Sequence, residues 1–141
     1  MTFETTRLYP HTPDTVFAAF STPERLARWW GPAGFRNTFT RCDFVPGGRW
    51  IFTMHGPDGA DYPNASTFAE IDAPHRLVIR HDCPPFFTLT VTLTAEAGQT
   101  RLTWEQAFDD DALAEKIRPI VEPSNEQNLD RLAAELQGPA A

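Results

Sequence analysis

Apolar and polar residues alternate along most of the chain between positions 35 and 108, in runs that clusters of Pro, Gly and Asp separate. Alternation with a period of two is typical of β-strands, whose successive side chains point to opposite faces. Together with an N-terminal run, the pattern predicts seven strands, over residues 2–9, 35–44, 49–55, 65–72, 76–82, 87–95 and 100–108. Because their connections are short and rich in turn residues, we expect one antiparallel sheet.

The positions along these strands sort into an apolar face and a polar face. Threonine and arginine occupy most of the polar positions. The residues that share the apolar parity are Trp50, Phe52 and Met54, then Leu77, Ile79 and His81, then Phe87, Leu89, Val91 and Leu93, and then Leu102, Trp104, Gln106 and Phe108. One face of the sheet therefore needs a covering layer.

Two short helices are predicted after the first strand. Thr12 and Thr22 each precede a proline, which is the order of a hydroxyl N-cap followed by a residue tolerated at the first helical position. The second helix should end at Gly31, which Pro32 follows.

A long helix is predicted at the C-terminal end of the chain, over residues 109–137. Leu129, Leu132, Ala133 and Leu136 share one helical face. Pro119 and Pro123 should interrupt or kink the helix between residues 118 and 124, since proline lacks an amide donor. Ser124 and Gln127 have capping-box spacing, which predicts a second helix start at Ser124.

These elements predict one α+β domain over residues 1–141, in which a curved antiparallel sheet grips the C-terminal helix. A chain of 141 residues is long enough to bury a core without disulfides or a structural metal.

The charge of the chain narrows the classes of partner. With 12 Lys and Arg against 19 Asp and Glu, the formal net charge is −7, which disfavours binding to nucleic acid. The N-terminus does not resemble a signal segment, and no apolar run is long enough to span a membrane. We therefore expect a cytoplasmic protein that does not insert into membranes.

Motifs for metal or cofactor chemistry do not stand out in the sequence. Cys42 and Cys83 lie far apart without a CxxC pattern, and the four histidines show no HExxH spacing. The chain also lacks GxSxG, GxxxxGK and GxGxxG. We expect free thiols, no metal and no cofactor.

Several motifs together resemble a known family. TPDTVFAAF from Thr12 and TPERLARWWGP from Thr22 resemble the opening of the START-like (SRPBCC) superfamily. More narrowly, the chain is similar to proteins related to the C-terminal domain of the activator of the heat shock protein 90 ATPase. Further matches are CDFVPGGRW from Cys42, HGPDG from His55, FTLTVTL from Phe87 and NEQNLDRL from Asn125.

The resemblance spans nearly the whole chain and implies a helix-grip fold with a cavity between the sheet and the C-terminal helix. It implies no single activity, since superfamily members include binders of lipids, hormones and polyketides as well as cyclases. The eukaryotic activator has a separate N-terminal domain that contacts the chaperone, for which this chain has no room. We therefore do not expect a chaperone interaction, while a homodimer stays open.

The aromatic residues are the first candidates for a ligand site, because ligand pockets have mostly apolar walls. Trp30 and Phe35 flank a Gly-Pro loop that could cover the mouth of a cavity. The candidate apolar contacts to a small or medium-sized hydrophobic ligand are Trp30, Phe35, Trp50, Phe52, Met54, Phe68, Phe87, Trp104 and Leu132. Packing in a filled core is the alternative for each of them.

Three polar residues are candidates for orienting such a ligand. His81 and Gln106 have apolar parity, and Asn128 adjoins the apolar stripe of the last helix. They either hydrogen-bond to one another or to the backbone, or they bind a ligand carbonyl or hydroxyl. His81 is also the weak candidate for an acid or base, which leaves a cyclase or hydro-lyase as the alternative to a binding protein. A stress-response or co-chaperone interaction module is a third interpretation.

Overall fold

The computed structural model describes residues 1–138, in which a seven-stranded antiparallel sheet packs with three helices. The strands are β1 (Thr2–Tyr9), β2 (Arg36–Cys42), β3 (Arg49–His55), β4 (Asp61–Asp72), β5 (Arg76–His81), β6 (Phe87–Glu96) and β7 (Gln99–Phe108). Their order across the sheet is β1-β7-β6-β5-β4-β3-β2. The first two strands therefore lie at opposite edges, and α1 (Pro13–Ser21) and α2 (Pro23–Trp29) connect them. The predicted α+β helix-grip architecture is confirmed.

The predicted apolar face is the face that the protein buries. Along β6, Leu89, Val91 and Leu93 are buried, whereas the threonines between them are less so. On β5 the face extends to His81, which is 7% exposed. Parity along each strand therefore assigned these side chains correctly to the interior.

The beginning of β4 differs from the prediction, because the strand begins at Asp61 and not at residue 65. Asp58, Asp61 and Asn64 are polar residues that favour a turn in this stretch. At Pro63 the strand pairs with β3 only, since its pairing with β5 begins at Ser66. A proline without an amide donor is tolerated at a position that is open on one side.

The N-cap prediction is correct for α1 and wrong for α2. The Thr12 hydroxyl accepts a hydrogen bond from the Thr15 amide at 3.4 Å. The Thr22 side chain makes no such bond at the start of α2. Thr22 also ends α1, where its own amide donates to Ala18 O, so one residue joins the two helices through its backbone.

The last helix, α3 (Asp111–Gln137), is continuous, and the predicted interruption between residues 118 and 124 is wrong. Asp110 caps its start by accepting a hydrogen bond from the Leu113 amide at 3.1 Å. Pro119 and Pro123 both lie inside the helix at exposed positions, where solvent can bond to the carbonyls that lose their partners. Ser124 is likewise an interior residue and not a second start. None of the helices in this part of the chain has the length and apolar character needed to cross a bilayer.

Two separate apolar clusters support α3. Leu129 and Leu132, near its C-terminal end, belong to the large core of the sheet and the helix pair. Ala114, near its N-terminal end, packs with Phe3 and Phe108 in a small second cluster. The helix therefore rests on the sheet at both ends, and its middle lies between the two clusters.

Side-chain hydrogen bonds fix the C-terminal half of α3 on both sides. The Tyr9 hydroxyl of β1 donates to Leu129 O at 2.8 Å. On the opposite side, Glu135 accepts hydrogen bonds from Arg25 and Arg28 of α2, at distances of 2.9 to 3.0 Å. This half of the helix is therefore placed firmly over the sheet.

Candidate functional site

A cavity of about 700 Å³ lies between the sheet and the middle of α3. Strands β3 to β7, the loop after α2, the loop before β6 and α3 all contribute to its wall. Tyr62 and Ile120 line it although 45% and 69% of their surfaces are exposed, so they stand at its mouth. The volume is within the range of small-molecule sites in proteins.

The cavity exists because the face of α3 between the two clusters carries small and polar side chains. Ser124, Asn125 and Asn128 line the cavity from the helix. None of them is long enough and apolar enough to fill the space above the sheet. The opposite wall is apolar and includes Phe52, Ile79 and Leu89 from the sheet.

The loop over residues 30–35, here called the cap loop, forms one end of the cavity. The loop residues that line the cavity are Trp30, Gly31, Pro32 and Phe35. Gly31 has a φ of +97°, and a Cβ on it would lie 2.6 Å from Met54 Cε. Only glycine suits this position, because the backbone is left-handed and the wall approaches it closely.

Arg131 of α3 binds five backbone carbonyls, four in the cap loop and one in α2. Its Nη1 donates to Trp30 O, Gly31 O and Pro32 O at 3.0 Å each. Its Nη2 donates to Arg28 O at 2.8 Å and to Phe35 O at 2.9 Å. Burial lowers the pKa of this guanidinium. The guanidinium thus donates to carbonyls at the C-terminal end of α2 that have no partner within the helix. A positive charge is favoured at this end of a helix because of the helix dipole.

Two further α3 side chains bind amides of the cap loop. Gln127 Oε1 accepts from the Ala33 amide and Asn128 Oδ1 accepts from the Gly31 amide, at 3.1 Å each. Asn128 is 6% exposed and also lines the cavity. The loop is therefore attached to the helix at this end of the cavity.

Gln106 of β7 and Asn125 of α3 form a polar pair across the cavity wall. Asn125 Nδ2 donates to Gln106 Oε1 at 3.0 Å. The pair retains one amide nitrogen and one amide oxygen that this bond does not use. It is the polar part of a wall that is otherwise mainly apolar.

His81 is held by hydrogen bonds at both ring nitrogens. Nδ1 lies 2.7 Å from Pro85 O, and Nε2 lies 2.7 Å from the amide oxygen of Asn64 and 3.5 Å from Cys83 Sγ. Burial lowers the pKa of the imidazole, against the opposing effect of backbone hydrogen bonds. Two oxygen acceptors suit the charged ring, whereas burial, the largest effect, favours the neutral ring. Asn64 Nδ2 donates to Tyr62 O at 2.9 Å, which keeps the amide oxygen directed at Nε2.

Nine of the residues predicted for the site line this cavity, and three do not. The nine are Trp30, Phe35, Phe52, Met54, His81, Phe87, Trp104, Gln106 and Asn128. Trp50, Phe68 and Leu132 are fully buried in the large core instead. Trp50 stacks between Phe52 and Phe68, with ring centroids 4.3 and 5.4 Å apart, so these rings fill space that the cavity does not reach.

Sequence reasoning missed several residues of the wall. Asn64 and Ser66 share the parity of Phe68, but Asn64 lies before the predicted start of the strand at residue 65, and Ser66 within it was not considered as a site residue. Asn125 precedes Asn128 by three residues, a spacing that places both on one helical face. These signals were present in the sequence, although the pairing of Asn125 with Gln106 depends on a contact between distant segments.

Two indole nitrogens in the interior have no hydrogen-bond partner among the described residues, Trp50 Nε1 and Trp104 Nε1. Trp104 belongs to the cavity wall, whereas Trp50 does not. In residues 1–138 no three His, Cys, Asp or Glu side chains are grouped as a metal site requires. The geometry therefore suits a molecule held by apolar contact and a few hydrogen bonds.

Solved structures with the same fold come from several bacteria. A protein from Arthrobacter aurescens is 26% identical, with a TM-score of 0.90 over 99% of this chain and 87% of that chain. A protein from Nitrosomonas europaea is 20% identical, with a TM-score of 0.87 over 97% and 94% of the two chains. An AHSA1-like protein from Aeromonas hydrophila is 24% identical, with a TM-score of 0.77 over 97% and 92%.

A search of curated proteins found no significant match. The model of one protein family, described as Activator of Hsp90 ATPase homolog 1-like protein, matches residues 10–137. This match includes both early helices, β2 to β7 and α3. The chain therefore belongs to the Activator of Hsp90 ATPase homolog 1-like protein family, with the helix-grip fold of the START-like superfamily.

Proposed function

We propose that this protein binds a small or medium-sized hydrophobic molecule in the cavity between the sheet and α3. The observation that carries the proposal is the cavity itself, about 700 Å³ in volume and lined by aromatic and aliphatic side chains. A ligand that buries roughly 300 Å² of apolar surface gains about 7 kcal/mol before the cost of association. In this proposal the protein acts in the cytoplasm.

The state of His81 supports binding over catalysis. A general base needs a free nitrogen within reach of the substrate. Both nitrogens of His81 are engaged with the protein, at 2.7 Å from Pro85 O and from Asn64. We therefore assign His81 to the wall of the cavity, where it keeps Asn64 and the loop before β6 in place.

The proposal can be tested with Nile red, an uncharged dye that fluoresces strongly in apolar surroundings. Ser124 lines the cavity from α3, so Ser124→Trp should place an indole across its mouth. We expect the wild-type protein to bind the dye saturably, and Ser124→Trp to raise the dissociation constant at least about tenfold, by the loss of roughly 1.4 kcal/mol.

Lys116→Trp is the matched control, because Lys116 is an exposed α3 residue outside the cavity wall. It adds the same indole to the helix and should leave dye binding unchanged. Circular dichroism verifies that both variants are folded. Equal dye binding by the wild-type protein and Ser124→Trp would contradict the proposal.

A further inference from the structure

Asn128 presents a hydrogen-bond donor to the cavity, and its orientation is fixed by the cap loop. The Gly31 amide can only donate, so the atom of Asn128 that lies 3.1 Å from it must be the side-chain oxygen. The NH₂ group is then the free end of the amide. Asn128 is 6% exposed and lines the cavity, and its Nδ2 has no hydrogen-bond partner in residues 1–138.

Other polar groups belong to the same cavity wall. Asn125 precedes Asn128 by three residues, so the Asn125–Gln106 pair is about 4.5 Å away along the helix axis. Trp104 also lines the cavity, and its Nε1 is buried without a partner. A buried donor that is left unsatisfied destabilises the protein, because it has lost its hydrogen bond to water. The cavity wall therefore presents donors that an acceptor atom would satisfy.

The charge of the wall is the second constraint on the ligand. Neither lysine nor arginine is among the described residues that line the cavity. Asp61, the carboxylate in the wall, is exposed and lies 2.7 Å from His55 Nδ1. A carboxylate or phosphate on the ligand would be buried without a cation, which costs far more than burying a neutral group.

From these two constraints we infer that the ligand is an uncharged molecule with an apolar body and a carbonyl-type acceptor oxygen that Asn128 Nδ2 binds. A second polar group about one helical turn away would meet the Asn125–Gln106 pair. This inference rests on the proposed function and specifies its ligand class. It gives the orienting role to Asn128, whereas His81 belongs to the supporting wall.

The test uses diphenylmethane and benzophenone, which have nearly the same shape and differ in one carbonyl oxygen. Each compound competes with Nile red, which gives its dissociation constant. We expect the wild-type protein to bind benzophenone at least as tightly as diphenylmethane. Asn128→Leu removes the donor, and the ratio of the two constants should then shift about tenfold toward diphenylmethane.

Two matched variants separate the donor from the attachment of the cap loop. Gln127→Leu removes a comparable loop contact, from the Ala33 amide, without touching the cavity wall, and should keep the wild-type ratio. Asn128→Asp keeps an oxygen for the Gly31 amide but loses the donor, so it should shift the ratio as Asn128→Leu does. A wild-type ratio in Asn128→Leu and Asn128→Asp would overturn the inference.

The charge of the ligand is tested with 4-benzoylbenzoate and its methyl ester. The ester should compete at least about tenfold more strongly, since the wall offers the carboxylate no cation. Equal competition would overturn the assignment of an uncharged ligand. If neither hydrocarbon nor ketone displaces the dye, the proposed function itself fails. If both displace it but Asn128 variants keep the wild-type ratio, only the ligand class fails.

Discussion

At the scale of single residues, two polar side chains of the cavity wall differ in how many of their hydrogen-bonding atoms are paired within the protein. His81 uses both ring nitrogens in contacts with Pro85 and Asn64. Asn128 uses only its oxygen, for Gly31. A side chain whose polar atoms are all paired stabilises the wall, whereas one with an unused donor at the cavity is available to a ligand.

The lowered pKa of His81 predicts a pH dependence of stability. Burial lowers its pKa in the folded protein, so the unfolded chain takes up a proton below its ordinary pKa of about 6.5 that the folded chain does not. The free energy of unfolding should therefore fall as the pH drops below about 6.5, by at most about 1.4 kcal/mol per pH unit from this residue. Above that pH the contribution is complete.

Urea denaturation at pH 8 and pH 5.5 measures this effect. His81→Gln removes the titrating group, so its loss of stability between the two pH values should be smaller than that of the wild-type protein. His75→Gln makes the same substitution at an exposed position and should behave as the wild type does. If the wild-type protein and His81→Gln lose the same amount of stability between the two pH values, the pKa of His81 is not lowered by folding.

At the scale of elements, the cap loop depends on α3 more than on its own sequence. Arg131 donates to five carbonyls of residues 28–35. Gln127 and Asn128 accept from two of the loop's amides. One helix therefore determines the position of a loop that is about one hundred residues away in sequence.

Arg131→Met should destabilise the protein by about 2–4 kcal/mol, because it leaves several carbonyls without donors. Amide hydrogen exchange at Gly31 and Ala33 should become faster, since their loop loses its main attachment. Arg101→Met is the control. Arg101 pairs with Glu96 at the surface, and its loss should cost much less stability, because solvent screens an exposed ion pair. Unchanged exchange in the cap loop of Arg131→Met would contradict this role.

The sequence predicted the strands better than it predicted α3 and the site. Alternation in β5 and β6 is a local signal, and it identified their buried face. Continuity of α3 through Pro119 was not predictable from local preference, because packing at both ends of the helix compensates for the lost hydrogen bond. Parity predicts which face of the sheet a side chain occupies, but not whether it lines the cavity or lies in the filled core. For this reason Trp50 was assigned to the cavity together with Phe52.

At the scale of the whole molecule, the cavity follows from how α3 is supported. The helix rests on the large core around Leu129 and on the small cluster around Ala114. Between them its underside is polar, with Ser124 and Asn128 above an apolar floor. The helix packs on the sheet at two points and is polar between them, which leaves the cavity open to a molecule with both apolar and polar parts.

The central claim is that this space admits an apolar molecule, and a two-dimensional NMR titration of isotope-labelled protein with diphenylmethane tests it most directly. The four tryptophans supply indole N–H signals. Trp30 and Trp104 line the cavity, whereas Trp29 donates to Ala19 O in the core. We predict that the signals of Trp30 and Trp104 shift saturably and more than that of Trp29. Indole signals that stay unchanged at saturating diphenylmethane would contradict the account.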